Sequence, residues 1–341
     1  MDRRTFLYQS FAFTAVSSPV TSLISRSKPK VDQVNTVFGV KKPKQLGFTL
    51  PHEHVFSNFG QPPAYIGKFD EEKLKAQVIP YLQKIKSLGC DTVVECTTAY
   101  FGRNVKLLKE VAYASGINII TNTGWYGAAR DRYIPKKAYE LSIDEIAATW
   151  VDEFENGIDG TAIKPGFIKL AVDKGPLSGI DKKLIIAGAR AHLKTGLTLQ
   201  VHTGNNPEVA FEELDLLKGE NVHPSAWVWT HAHQVEDASV LIDAARKGAW
   251  ISLDGLRLGE KRQDHHLKLL MALIEAGYAK QVFLSHDGNG FPSGKKTRPF
   301  EMLMTHFIPR LRSEGLNKKD IHQITHKNPQ NAFTIQVRKL S

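Results

Sequence analysis

The sequence has 341 residues, of which 42% are hydrophobic and 23% are charged, and its formal net charge is +10. This composition supports a large folded core and excludes an intrinsically disordered chain, and no apolar run reaches the ~20 residues of a membrane-spanning helix. The basic residues are scattered along the chain rather than interleaved with aromatic residues in one stripe, so we expect no nucleic-acid partner.

The first 28 residues differ from the rest and predict an export signal. Arg3 and Arg4 precede a modestly apolar stretch that runs from Phe11 to Ile24, which is the order of charged head and apolar region in secretory signals. The paired arginines resemble the twin-arginine type, so we expect a periplasmic or otherwise exported protein. A short amphipathic helix is the alternative, and an uncleaved anchor stays open because no small-x-small cleavage site stands out.

The two cysteines, Cys90 and Cys96, flank one predicted strand. At ~3.3 Å per residue they would lie ~20 Å apart, whereas the Cα atoms of a disulfide lie within about 7 Å. We therefore expect no disulfide between them.

From Thr49 onward, short apolar runs alternate with longer amphipathic ones. There are eight apolar runs, and most lack strict polar–apolar alternation, which is typical of parallel strands covered on both faces. They comprise residues 48–51, 92–96, 118–122, 167–170, 198–201, 227–230, 250–253 and 282–285. Helical patterns lie between them, and several end at a glycine. Eight strand–helix units predict a (β/α)8 TIM barrel over residues 35–341, with a doubly wound open sheet as the alternative.

Nearly every apolar run ends in a potential metal ligand or another titratable group. In chain order these are His52-Glu53-His54, Glu95, Lys169, His202, His231, Asp254 and His286-Asp287. The carboxyl ends of barrel strands share one rim, so we expect these side chains to converge. Four histidines and one aspartate (His52, His54, His202, His231 and Asp287) suit zinc or another borderline divalent ion rather than calcium.

Lys169 is unusual because it lies in an otherwise apolar strand. A buried lysine is costly unless it is paired or its amine reaches solvent, and a buried amine loses its proton readily. The residue is therefore either an ion-paired structural lysine or a lysine that is used for chemistry.

Six segments in this order resemble the phosphotriesterase family of the amidohydrolase superfamily, including its lactonase relatives. They are residues 47–54 (GFTLPHEH), 167–171 (FIKLA), 201–203 (VHT), 230–231 (TH), 284–287 (LSHD) and 324–329 (ITHKNP). The resemblance runs from about residue 35 to the end of the chain. It implies a binuclear metal centre with a metal-bridging hydroxide at the carboxyl ends of the strands.

The resemblance also implies the ligands of two divalent metal ions. One metal would be held by His52, His54 and Asp287, and the other by His202 and His231. A carboxylated Lys169 would bridge the two metals. Glu95 is the alternative bridge, as in some members of the family, although we favour Lys169 and expect Glu95 to orient a ligand.

The sequence departs from the best-known phosphotriesterases at two positions. Gln234 stands where they have a carboxylate three residues after the sixth-strand histidine, and Gly255 stands where they have a histidine after the seventh-strand aspartate. The proton relay that leads away from the catalytic aspartate, Asp287, is therefore not reproduced. Arg257 and His233 are candidates to replace it, and we do not expect an organophosphate to be the native substrate.

Two loops contain further candidate residues. Tyr126, in residues 123–127 (TGWYG), resembles the lactonase tyrosine that points at the substrate carbonyl, with ordinary loop packing as the alternative. The loop 288–298 is basic and rich in glycine and proline, which favours either a mobile lid for an acidic or polyhydroxylated substrate or a solvated loop.

We therefore expect a metal-dependent hydrolase in which Asp287 accepts a proton and Tyr126 orients the substrate. The expected partner is a small-molecule lactone or carboxylic ester. Phosphotriester or amide hydrolysis by the same site is one alternative, and an exported binding protein that has lost turnover is another. The sequence leaves a homodimer open.

Overall fold

The computed structural model describes residues 32–61, 66–293 and 295–341, so the predicted export signal lies outside the described residues. The strands are β1 (Val34–Thr36), β2 (Gly39–Lys41), β3 (Thr49–His54), β4 (Thr92–Glu95), β5 (Asn118–Ile120), β6 (Asn122–Thr123), β7 (Phe167–Ala171), β8 (Thr198–His202), β9 (Trp227–Thr230), β10 (Trp250–Leu253), β11 (Val282–Leu284) and β12 (Gly288–Asn289). The α-helices are α1 (Glu71–Ser87), α2 (Val105–Ser115), α3 (Lys137–Glu140), α4 (Ile143–Asn156), α5 (Gly179–Thr195), α6 (Pro207–Gly219), α7 (Ala238–Arg246), α8 (Glu260–Glu275), α9 (Ile308–Ser313), α10 (Lys318–His322) and α11 (Asn328–Phe333). None of the described helices is both long enough and apolar enough to cross a membrane.

Strands β3 to β12 form a closed parallel barrel with eight strand positions. β3, β4 and β5 pair in that order, β6 to β11 continue the ring, and β12 pairs with β3. β5 and β6 are two parts of the third strand, and β11 and β12 are two parts of the eighth. The predicted TIM barrel is thus confirmed, and the open-sheet alternative is wrong because the last strand pairs with the first.

Side chains alternate between the two sides of the barrel wall, as a period of two requires. Val93 packs in the large outer cluster beneath the helices, whereas Val94 packs in a smaller inner cluster with Phe167 and Val228. Phe333 of α11 belongs to the same inner cluster. The Thr198 hydroxyl at the start of β8 donates to a carbonyl of α11, so this helix covers the amino ends of the strands and leaves the carboxyl ends for the site.

The helices begin and end at residues that satisfy their terminal backbone groups. Helix α4 begins at a capping box in which Ser142 and Glu145 each accept a hydrogen bond from the other's amide, and α5 begins with the same arrangement. Helix α5 is followed by Gly196, which has φ +78°, and a Cβ at this position would lie 2.8 Å from the Gln336 amide nitrogen, too close for a real side chain. Glycine is therefore required at this turn into β8.

Cys90 and Cys96 are both buried and unpaired with each other, as the spacing along β4 predicts. Burial raises the pKa of both thiols, so neither forms a thiolate near neutral pH. We therefore assign them to packing.

Candidate metal centre

All seven predicted site residues line one cavity of about 180 Å³ at the carboxyl ends of the barrel strands. Its lining comprises His52, His54, Phe59, Phe101, Tyr126, Lys169, His202, His231, Asp287 and Arg298. A larger surface groove of about 680 Å³, beside β2 and α2, contains none of the predicted residues. The structure thus brings together side chains that are up to 235 positions apart in the sequence, and their roles as ligands remain predictions.

Local backbone geometry turns the ligand candidates toward this cavity. Strand β3 carries one extra residue between Leu50 and Glu53 relative to β4, and such a bulge re-aims the side chains that follow it. His231 and Asp287 both have left-handed backbones, with φ of +62° and +50°, which is unusual for residues other than glycine. Non-glycine residues in this region cluster at functional sites.

Hydrogen bonds fix the tautomer of His54. Its Nδ1 lies 2.8 Å from the Thr97 hydroxyl, and that hydroxyl donates its proton to the Phe56 carbonyl. Thr97 must therefore accept a proton from Nδ1, which leaves the Nε2 lone pair of His54 facing the cavity. This arrangement is the usual preparation of a metal-binding histidine.

Asp254 fixes His52 and His231 in the same way. Its two oxygens lie 2.6 Å from Nδ1 of His52 and 2.9 Å from Nδ1 of His231, and they also accept the His231 amide and the Ser252 hydroxyl. Burial alone would raise the pKa of Asp254, but His231 and His52 bring it well below the ordinary value. The ionised carboxylate therefore orients two imidazoles, even though its distances to them also suit a metal ligand.

The spacing of the remaining donor atoms fits a divalent cation. Asp287 Oδ1 lies 3.3 Å from His54 Nε2 and 3.8 Å from His52 Nε2. Ligands held at 2.0–2.1 Å around tetrahedral zinc are about 3.3 Å apart. Burial lowers the pKa of His52 to about 3, so its ring is neutral near pH 7, as a ligand must be.

We expect Asp254→Asn to weaken metal binding about 10–100-fold, as is usual for residues that orient ligands. An amide offers one acceptor oxygen where Asp254 offers two, so one imidazole loses its fixed tautomer. Chelator competition would measure the affinity, with Asp243→Asn on the exposed side of α7 as the matched control. Equal affinities of the Asp254 variant and the wild type would contradict this role.

Lys169 is buried, and its Nζ has no hydrogen-bond partner among the described residues. Burial lowers the pKa of this amine and so favours its neutral form. Glu95 is different, because its oxygens accept hydrogen bonds from the amides of Val55 and Thr97 and it does not line the cavity. The geometry therefore favours Lys169 over Glu95 as the residue available to two cations.

Tyr126 is held against His202. Its hydroxyl lies 3.2 Å from His202 Nδ1, and its ring stacks on Phe101 at 5.0 Å with an interplanar angle of 17°. Burial raises the pKa of Tyr126, so the hydroxyl keeps its proton. Burial also lowers the pKa of His202 well below its usual value. The phenol is thus rigid and able to donate, which supports the predicted orienting role without testing it.

An aromatic wall that the sequence did not predict completes one side of the cavity. Phe59 and Phe101 come from the loops after β3 and β4, and Tyr133 packs edge-on against Phe101. Arg298 also lines the cavity, and its guanidinium lies 2.9 Å from Asp287. Only the basic composition of the 288–298 loop pointed to this cation in the sequence.

The described residues of the 288–298 loop, all but residue 294, form hydrogen bonds with each other and with the segment after β3. Its two ends pair at Asn289 and Arg298, and Ser293 bonds to the backbone of Ser57 and to the side chain of Asn58. Lys295 lies over the Phe59 ring at 4.6 Å from the centroid. These contacts tie the loop to the segment after β3.

His233, one of the two candidates for the missing relay, fills the space beside Gly255. Its Nε2 would lie 2.1 Å from a Cβ at position 255, so any larger residue there requires His233 to move. His233 Nδ1 is 3.2 Å from Asp254 rather than near Asp287. Arg257, the other candidate, lies 3.8 Å from Asp287, and Gln234 accepts a hydrogen bond from the Asn205 amide.

Glu213 of α6 gives a pH-dependent prediction next to the site. It is fully buried, accepts hydrogen bonds from Thr203 and Trp227, and burial raises its pKa to about 8. Between pH 4.5 and 8 the unfolded chain releases this proton while the folded chain keeps it, so stability falls as pH rises. At about 1.4 kcal/mol per pKa unit, Glu213 should lower the free energy of unfolding of the wild type by on the order of 3 kcal/mol between pH 5 and 8. Glu213→Gln should not show this decrease.

Urea unfolding of both proteins at pH 5 and pH 8, with a chelator present, would measure this difference. The free energy of unfolding of Glu213→Gln, relative to that of the wild type, should be higher at pH 8 than at pH 5. A constant difference between the two proteins would show that Glu213 is already ionised in the fold.

Comparison with known proteins places the chain among metal-dependent hydrolases. The family model described as the phosphotriesterase family matches residues 32–333. The chain is 31% identical to the aryldialkylphosphatase of Saccharolobus solfataricus over 85% of this chain and 96% of that protein. It is 28% identical to the phosphotriesterase homology protein of Escherichia coli over 84% and 98%. It is 24% identical to the N-acetyltaurine hydrolase of Xenopus tropicalis over 89% and 98%.

Proposed function

Because the chain belongs to the phosphotriesterase family of metal-dependent hydrolases, we propose that it hydrolyses a carboxylic ester or a lactone in the cavity at the carboxyl ends of its barrel strands. The observation that carries the proposal is the convergence there of His52, His54 and His231, whose Nδ1 atoms are already hydrogen-bonded, around Asp287 and the amine of Lys169, which has no partner among the described residues. These five groups come from four different strands or strand ends.

The proposed centre holds two divalent ions, with zinc favoured by the imidazole and carboxylate donors. His52, His54 and Asp287 would hold one ion, and His202 and His231 the other. Lys169 would bridge them after its neutral amine adds carbon dioxide, which forms an N–C bond and, on loss of one proton, an anion with two oxygens. Bound divalent ions lower the pKa of water toward ~7 and polarise a scissile carbonyl.

The protein's own groups would then act on the substrate and the water. Asp287 accepts the proton of the attacking water, since it is the ionised carboxylate beside the histidines. The Tyr126 hydroxyl donates to the substrate's carbonyl region from the aromatic side. Phe59 and Phe101, which line the cavity together with Tyr126, would exclude bulk water from one side of the acyl group.

Two alternative reactions have specific support. The similarity to an aryldialkylphosphatase favours a phosphotriester, whereas Gln234 and Gly255 lack the relay groups that phosphotriesterases have at those positions. The similarity to N-acetyltaurine hydrolases favours an amide. We rank the ester or lactone first because Gln234 and Gly255 stand where phosphotriesterases have their relay groups, and because an amide must expel an amine, which is a poorer leaving group than the alkoxide of an ester.

A metal assay followed by a substrate screen tests this function. The purified protein, supplied with zinc, would be analysed for bound metal and then assayed on lactones, aryl esters, N-acetyl amides and a paraoxon-like triester. We expect about two metal ions per chain and the highest kcat/KM on a lactone or ester. Full metal content with no turnover on any class would favour the binding-protein alternative, and a clear preference for the amide or triester would replace the proposed substrate.

We also propose export to the periplasm through the paired arginines, Arg3 and Arg4. Cell fractionation would compare the full chain with a variant in which both arginines are replaced by lysine. Export through the twin-arginine route predicts that the wild-type protein is found in the periplasm and that the variant stays in the cytosol.

A further inference from the structure

Two guanidinium groups share one carboxylate at the mouth of the cavity. Arg298 places Nη1 2.9 Å from Asp287 Oδ2 and Nη2 3.4 Å from Oδ1, while Arg257 places Nη2 3.8 Å from Oδ2. The other side of the carboxylate faces His54. Two guanidinium groups therefore contact a single carboxylate, so the charge of one of them is not balanced by this contact.

Arg257 retains free hydrogen-bond donors. Within the described residues its guanidinium makes no hydrogen bond, and its long contact to Asp287 is its single ion pair. The side chain is 30% exposed, so these donors are accessible from solvent. Arg257 also lines a second cavity of about 320 Å³ together with Leu256 and Met302, whereas Arg298 is the one of the two arginines that lines the cavity of the candidate metal centre.

The cavity lining therefore combines apolar and cationic side chains. Phe59 and Phe101 supply the apolar part and Arg298 the cationic part, and Arg257 contacts the same carboxylate, Asp287, as Arg298 does. A volume of about 180 Å³ is small compared with the ~300–1,000 Å³ of sites for drug-sized ligands. These features suit a small substrate that has an apolar side and an anionic group.

We propose that Arg257 and Arg298 form a subsite that binds an oxyanion of the substrate, a carboxylate or a sulfonate, away from the scissile bond. The inference rests on the proposed hydrolytic function and narrows it to anionic substrates. The planar fork of an arginine matches such a group with two parallel hydrogen bonds. A neutral substrate in the same place would remove water from the guanidinium groups without replacing its hydrogen bonds, which costs affinity.

A matched pair of esters tests the subsite. The 4-nitrophenyl ester of 3-sulfopropanoic acid and that of 4,4-dimethylpentanoic acid have the same leaving group and similar shapes, but only the first is anionic. We expect the wild type to prefer the sulfonate ester at least 10-fold in kcat/KM, mainly through KM. Arg257→Gln should reduce this preference at least 10-fold, whereas Arg312→Gln, on the exposed surface, should leave it unchanged.

Direct binding separates this inference from the proposed function. Calorimetry would measure the Kd of propane-1-sulfonate for wild type, Arg257→Gln and Arg312→Gln, in the metal-loaded and the chelated protein. Binding that weakens at least 10-fold only in Arg257→Gln supports the subsite, even if neither ester is hydrolysed and the proposed function fails. Hydrolysis of both esters with equal kcat/KM, together with sulfonate binding that does not depend on Arg257, would overturn the subsite and leave the hydrolase intact.

Discussion

Asp287→Asn is expected to lower kcat by about 10²–10⁴-fold, the usual contribution of a general base, while much of the metal stays bound. Burial opposes ionisation of this carboxyl, but the contact with His54 and the nearby His231 lower its pKa below the ordinary value. The group is therefore ionised near pH 7 and can accept a proton. Asparagine keeps the size and one oxygen of the side chain but has no basic site.

The measurement is kcat on the best substrate of the screen, together with the metal content of the same sample. Asp215→Asn, on the exposed face of α6, is the matched control and should behave as the wild type does. Turnover by Asp287→Asn within threefold of wild type, at full metal content, would rule out proton transfer by this residue.

Lys169→Met is expected to abolish most turnover and to lower the metal content below two ions per chain, yet to stabilise the metal-free protein. The buried amine has no partner among the described residues, and burying an unsatisfied polar group costs about 1–3 kcal/mol. Methionine has a similar length and no such group. A lysine that serves function is expected to lower the stability of the metal-free protein, whereas a structural lysine is expected to raise it.

Urea unfolding in the presence of a chelator and metal analysis without it would measure the two effects. Lys218→Met, on the exposed end of α6, controls for the loss of a positive charge. If Lys169→Met destabilises the metal-free protein and leaves the metal content unchanged, Lys169 is an ordinary core lysine. Glu95→Gln should in contrast affect mainly stability, because Glu95 bonds to backbone amides.

The sequence predicted the barrel well because its main signal, buried parallel strands, is local. All eight apolar runs overlap observed strands. The convergence of His52, Lys169, His202 and Asp287 followed from the topology alone, since strand ends in such a barrel meet at one rim. The sequence predicted helices between the strands, whereas the short helices after β12 were not predicted.

The loops limited the prediction. Thr97, which fixes the tautomer of His54, is an ordinary threonine in the sequence, and its role depends on the path of the chain after β4. Phe59 and Arg298 reach the cavity from loops, and no repeating hydrophobic pattern in the sequence predicts the conformation of a loop. His233 occupies the space beside Gly255 because of a turn after β9, and no spacing rule connects those two positions.

The left-handed backbones at His231 and Asp287 bear on how the protein captures its cations. Such conformations cost about 1–3 kcal/mol each outside glycine, and here they are held by main-chain bonds from His231 to Asp254 and from Asp287 to the carbonyl of His52. The unfavourable torsion is thus incurred when the chain folds, before any ion arrives. The positions of these two ligand candidates are therefore set by folding and do not depend on an ion to hold them.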